Sequence, residues 1–189
     1  MITIPLRILL VEDNRTDADL TIFHIQKIVE TSEIRVVDNL DDVNKELLNF
    51  VPDVVISDYN LPTCTGLDVL QLIQERNPEL PVIFLTGTIH DEELAANTIL
   101  AGASGYILKK DMNNLEEKLR PLLKKVVFKM DAKDEVRERL RQNRIAINQI
   151  YDYLDNLKLD NKEQKENMGK IKKSIRNFEI GNDDDDKEA

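Results

Sequence analysis

Five residues able to act on a phosphoryl group follow or close four apolar runs. Glu12 and Asp13 come after ILLV, Asp58 after VVIS, Thr86 closes VIFL, and Lys109 comes after GYIL. Three carboxylates a few ångströms apart repel one another and raise each other's pKa unless a cation sits among them. A divalent metal resolves the conflict. Oxygen-only ligands and a phosphoryl substrate favour Mg²⁺, which keeps several waters and takes only one or two carboxylates. Lys109 would pair with one phosphoryl oxygen, the Thr86 hydroxyl would hydrogen-bond another, and Asp58, at the centre, would be the nucleophile. The set is suited to accepting a phosphoryl group on a carboxylate.

Residues so far apart in the chain meet only if the runs that precede them lie side by side. Each run is short, rich in Val, Ile and Leu, and separated from the next by an amphipathic stretch, as buried parallel strands are. Strands are expected at Arg7–Val11, Ile34–Val37, Val54–Ser57, Val82–Thr86 and Tyr106–Leu108. Helices are expected at Asp17–Glu30, Asp41–Asn49, Gly66–Arg76, Asp91–Ala101 and Leu115–Met130. In the first of these, Ala18, Ile22, Ile25 and Val29 recur at helical spacing. Gly102 stands where the fourth helix should be capped. Strict alternation implies right-handed crossovers and a doubly wound α/β parallel sheet, whose ligands bind outside the carboxyl ends of the strands.

Of the 189 residues, those from 1 to 112 hold 8 Lys and Arg against 19 Asp and Glu, a net of −11. Such an acidic segment argues against binding a phosphate backbone, so no nucleic-acid partner is expected. No stretch approaches the ~20 apolar residues that span a bilayer, and MITIPLRILL reads as a strand rather than a signal peptide. A lone Cys64 fits a reducing cytoplasm. After Met130 the strand signal disappears. Val136, Leu140, Ile147, Ile150, Leu154 and Leu157 form a near-heptad, coiled-coil-like stripe, and Met168, Ile171, Ile175 and Phe178 form a second. Such narrow stripes must pair with each other, with the fifth helix, or with a second chain in a homodimer. The organisation expected is a first domain over 1–130, a helical extension over 131–180 and a disordered acidic tail over 181–189.

The segments ILLVEDN, VVISDYNLPTCTGLDVL, VIFLTGT and AGASGYILKK resemble, in order and spacing, the receiver domain of two-component response regulators, over residues 5–129. The resemblance implies a flavodoxin-like sheet of order 2-1-3-4-5. It implies that Glu12 and Asp13 are the acidic pair binding Mg²⁺, that Asp58 is the phosphoacceptor, and that the backbone carbonyl of Asn60 completes the metal shell. Pro62 and Gly66 fit the family's turn after the phosphoacceptor. Thr86 resembles the switch hydroxyl, Tyr106 the aromatic whose rotamer follows it, and Lys109 the phosphate-binding lysine. A histidine kinase or phosphotransfer protein would supply the phosphoryl group, and a downstream protein would read the face of helix four, strand five and helix five. One position departs from the pattern. Family members usually carry Pro after the lysine, often in a cis peptide, whereas this chain has Lys110, so the bond is either trans with a shifted loop or strained.

Two other functions use similar residues. Phosphatases of the haloacid dehalogenase type carry Asp-x-Asp after the first strand, whereas here an acidic pair comes first and Asp58 is followed by Tyr59 and Asn60. A constitutive interaction module would never be phosphorylated. Cys64 has no basic neighbour to make it a redox sensor. His24 falls off its helix's stripe and reads as a surface residue, and His90 as one preceding a helix.

Overall fold

The computed structural model describes residues 1–87, 92–130, 134–156 and 164–173. Five parallel strands, β1 (Leu6–Val11), β2 (Ser32–Val37), β3 (Val54–Asp58), β4 (Val82–Thr86) and β5 (Gly105–Leu108), form one sheet in the order β2-β1-β3-β4-β5. Helices α1 (Arg15–Gln26), α2 (Leu40–Asn49), α3 (Gly66–Arg76), α4 (Glu92–Leu100) and α5 (Leu115–Met130) follow the strands in turn, with a 3₁₀ turn at Lys109–Asn114.

Alternation along each strand divides the core in two. Ile8, Leu10, Ile56, Ile83 and Ile107 pack with α1 and α5 through Ile25, Leu119 and Leu123. Leu9, Val55, Val82 and Phe84 pack with α2 and α3 through Val43, Leu47, Val69 and Ile73. Every residue of β3 and β4 is buried, which is why their sequences carry no alternation. The edge strand β2 is only half covered, and Val36 is 46% exposed.

Two expectations for α1 are corrected. The helix starts two residues before Asp17, because the Asn14 side chain accepts from the backbone N–H groups of Thr16 and Asp17. It ends at Gln26 rather than Glu30, and Val29 reaches the core through a parallel bridge to Ile2 instead of a helical stripe. His24 is buried, not on the surface. Its ring meets the edge of Phe23, and its Nδ1 lies 3.3 Å from Glu116 Oε1 in the first turn of α5. That partner is distant in sequence, so the stripe on α1 could not reveal it. Gly102, at φ +103°, ends α4 as expected.

The chain divides into two compact units, Met1–Arg137 and Glu138–Ala189. The second unit holds α6 (Asp134–Asn156) from Glu138 onward and α7 (164–173), and the Tyr151 hydroxyl donates to the Lys172 carbonyl at 3.0 Å. Ile147, Leu154 and Met168 are half-buried, while Ile150 and Ile171 remain 47% and 48% exposed. The side chains of Val136 and Leu140, together with Leu157, Ile175, Phe178, His90 and residues 181–189, lie outside the described residues. No described helix is long and apolar enough to cross a membrane.

Candidate functional site

Strand register brings the chemical residues together. Val11 lies opposite Ser57, Asp58 opposite Leu85, and Thr86 opposite Leu108. Glu12 and Asp58 are therefore the next rung of their pair, and Lys109 emerges one step beyond Thr86. The Glu12 N–H still bonds the Val37 carbonyl at 2.8 Å, and Glu12 Oε1 accepts from the Asn14 N–H at 3.1 Å. One short turn thus aims Glu12 inward and starts α1. Asp58 Oδ1 accepts from the N–H groups of Tyr59 (2.6 Å) and Asn60 (3.2 Å), which fixes the carboxylate plane. Glu12, Asp13 and Asp58 each offer an oxygen within 4.8 Å of the other two; Glu12 and Asp58 are buried, Asp13 exposed.

Lys109 reaches into this group. Its Nζ lies 2.7 Å from Glu12 Oε2, 2.7 Å from Asp17 Oδ2 and 2.8 Å from Asp58 Oδ2. Burial opposes the ammonium charge, but hydrogen bonds to Asp17, Asp58 and Glu12 outweigh it and hold the lysine above its ordinary pKa. Burial pushes Glu12 above the usual carboxylate range. Lys109 and the Asn14 N–H offset only part of that, and the charge of Asp58 adds to it. The described chain contains no cis peptide, so Lys109–Lys110 is trans, and a 3₁₀ turn begins at Lys109 itself.

Thr86 is fully buried at the end of β4. Tyr106 pairs with Phe84 across β4 and β5 and packs half-buried against the α2 and α3 side of the core. Asn60 sits in the loop that leaves Asp58, closed by an antiparallel bridge from Asn60 to Thr65. Gly66 donates to the Tyr59 carbonyl at 2.7 Å, and a Cβ there would stand 2.6 Å from Phe84 Cε1 and 2.9 Å from Tyr59 Cα. Only glycine allows this approach without displacement.

Asp17 was not among the expected site residues. An acid in a first helical turn ordinarily reads as a complement to the helix dipole, and only the arrival of Lys109, 92 residues away, gives it a second use. All the expected strand-end residues lie along the carboxyl edge of the sheet. Glu12, Asp13, Asp58 and Lys109 meet directly, while Thr86 and Tyr106 occupy the neighbouring strands β4 and β5.

Residues 8–120 match the response regulator receiver domain family. Over 75 residues the chain is 39% identical to the DNA-binding transcriptional regulator NtrC of Proteus hauseri, a match covering 40% of this chain and 16% of NtrC. It is 39% identical over 75 residues to the transcriptional regulatory protein TcrX of Mycobacterium tuberculosis, covering 39% of this chain and 32% of TcrX. The matches thus span no more than a third of these relatives. Among solved structures, the signal receiver domain of a LuxO repressor protein from Vibrio parahaemolyticus superposes with a TM-score of 0.61 at 26% identity, covering 70% of this chain and all of that one. A LuxR-family DNA-binding response regulator from Staphylococcus aureus superposes with a TM-score of 0.55 at 26% identity, over 64% of this chain and 98% of that one.

Proposed function

The chain belongs to the response regulator receiver family, and from that premise we propose that it is a phosphorylation-controlled switch whose phosphoacceptor is Asp58. A histidine kinase or phosphotransfer protein presents a phosphohistidine. An Asp58 carboxylate oxygen attacks phosphorus, the P–N bond breaks, and the imidazole leaves with the electron pair and takes up a proton. Water later attacks the acyl phosphate, releasing phosphate and restoring the carboxylate. Both steps are self-assisted by the site.

The donor set fits a hard divalent ion, because three carboxylates converge and every candidate ligand is oxygen. Glu12, Asp13, Asp58 and the Asn60 backbone carbonyl would hold Mg²⁺. When bound, it neutralises the carboxylates and the phosphoryl oxygens. The remaining work belongs to the chain. The N–H groups of Tyr59 and Asn60 orient Asp58. Lys109, already 2.8 Å from Asp58, bonds a phosphoryl oxygen. The Thr86 hydroxyl bonds another by moving toward it, and the vacated space admits the Tyr106 ring.

Such a movement remodels the face of α4, β5 and α5, which a downstream protein reads. Moving the equilibrium from mostly off to mostly on takes about 5 kcal/mol of differential interaction, which a few charge-assisted hydrogen bonds supply. We assign residues 1–130 to this receiver, 131–180 to a helical extension that pairs two copies, and 181–189 to an acidic tail, all in the cytoplasm.

The observation carrying this reading is the bond from Lys109 to Asp58 amid converging acids. Acetyl phosphate with Mg²⁺ is expected to add one phosphoryl group to the wild-type chain, read by intact mass, and none to Asp58→Asn. Equal labelling of the two would refute it. Light scattering across a concentration series, with and without beryllofluoride, tests the pairing of copies.

A further inference from the structure

The ammonium of Lys109 has three N–H donors, and it is bonded to three carboxylates. Two of them, Glu12 and Asp58, belong to the acidic trio suited to a divalent ion; Asp17 does not. Lysine and metal would therefore share two of the same carboxylates, and two cations a few ångströms apart repel strongly. An amine displaced from both partners while still half-buried would be left short of acceptors, at a cost in free energy. Asp17 offers an acceptor that the metal does not claim.

Its position is built into the fold. Asn14 joins Glu12 to the first turn of α1, so the carboxylates of Glu12 and Asp17 are carried by one rigid turn. The far end of α1 is tied to the segment that follows Lys109, since Glu116 Oε1 lies 3.0 Å from Lys27 Nζ and 3.3 Å from His24 Nδ1. Asp17 is also the most exposed of the three acceptors, at 35% against 10% for Asp58 and 1% for Glu12. It can follow a shifting amine without stranding a buried charge.

We propose that Asp17 is a positioning residue for Lys109, keeping the amine at the rim of the site when a metal ion takes Glu12 and Asp58, within reach of the phosphoryl oxygens. This rests on Asp58 being the phosphoacceptor. The test compares the full chain as wild type, Asp17→Asn, Asp17→Glu, Lys109→Met and the double variant Asp17→Asn with Lys109→Met. Phosphorylation rates are followed against acetyl phosphate concentration at saturating Mg²⁺. Asp17→Asn is expected to lower the saturating rate about tenfold, the effect of losing one charge-assisted hydrogen bond, with little change in the half-saturating concentration. Asp17→Glu should restore most of the rate, and the Asn substitution should have no effect in the Lys109→Met background.

A second readout needs no phosphoryl donor. The ¹⁵N signal of the Lys109 ammonium, recorded with Mg²⁺, should show hydrogen exchange about tenfold faster in Asp17→Asn than in wild type. Unchanged exchange overturns the proposal, as does a wild-type-like rate in Asp17→Asn. So does an equal slowing of the Lys109→Met chain, which would mean that Asp17 acts through its own charge. If the wild type takes up no phosphoryl group, the phosphoacceptor reading fails, and the ammonium exchange alone decides the role of Asp17.

Discussion

Gly66 and Gly105 each open an element and are hard to distinguish in the sequence, yet their surroundings predict different costs. A Cβ at Gly66 meets the Tyr59 backbone and the Phe84 ring, neither of which can retreat without disturbing the loop that follows Asp58. Gly66→Ala should therefore destabilise the fold by about 1–3 kcal/mol, as overpacking does. The atoms nearest a Cβ at Gly105 all belong to the Leu122 side chain, which is half-buried and can rotate. Gly105→Ala should cost less than about 1 kcal/mol. Urea midpoints at constant slope measure both, and equal losses would show that the Leu122 rotamer is as fixed as backbone. The same contrast between local and distant surroundings explains which residues could be read in the sequence. Glu12, Asp58 and Lys109 follow apolar runs, so their meeting at one edge is a consequence of strand order. Asp17 and His24 depend on partners 92 residues away, and nothing in their local spacing signals Lys109 or Glu116.

At the scale of elements, α3 carries a capping box in which the Asp68 carboxylate accepts from the Thr65 N–H at 2.8 Å and from its hydroxyl at 2.8 Å. These bonds hold Asp68 below the usual aspartate pKa. A carboxylate depressed in the folded state stabilises above its unfolded pKa, and the benefit is lost as pH falls through the folded value. Asp68→Ala should therefore cost about 0.5 kcal/mol at neutral pH, the exposed carboxylate being screened by solvent, and less and less as the pH drops below the ordinary aspartate range. Denaturant titrations of both chains at several pH values check this, and a penalty independent of pH would assign the loss to packing instead. The elements themselves were unevenly legible. β4, α3 and α5 fall where their apolar patterns and punctuation put them, because both are local. β2 begins two residues earlier than expected, since Ser32 and Glu33 are drawn into register with Leu6 and Arg7 on an edge that need not be apolar. α1 was displaced because a cap at Asn14 set its start, while a bridge between Ile2 and Val29 claimed the residues that had extended its stripe.

For the whole molecule, both core clusters are assembled from residues that end at Met130, and beyond that point the only buried side chain among the described residues is Arg141. The two units should therefore behave differently when separated. A chain ending after Met130 is expected to keep a single cooperative unfolding transition, with a Tm within about 5 °C of the full chain, and to accept one phosphoryl group on Asp58. The extension has the opposite difficulty. Its apolar side chains Ile150 and Ile171 are half exposed. Most helical stability in proteins comes from packing a buried face rather than from the helix itself. A fragment spanning 131–189 should therefore show broad, non-cooperative loss of helicity on heating at low micromolar concentration, and sharpen as concentration rises if a second copy covers those residues. Circular dichroism melts over a hundredfold concentration range decide it. A sharp, concentration-independent transition would mean that the extension folds alone, and the pairing of copies proposed above would lose its physical cause.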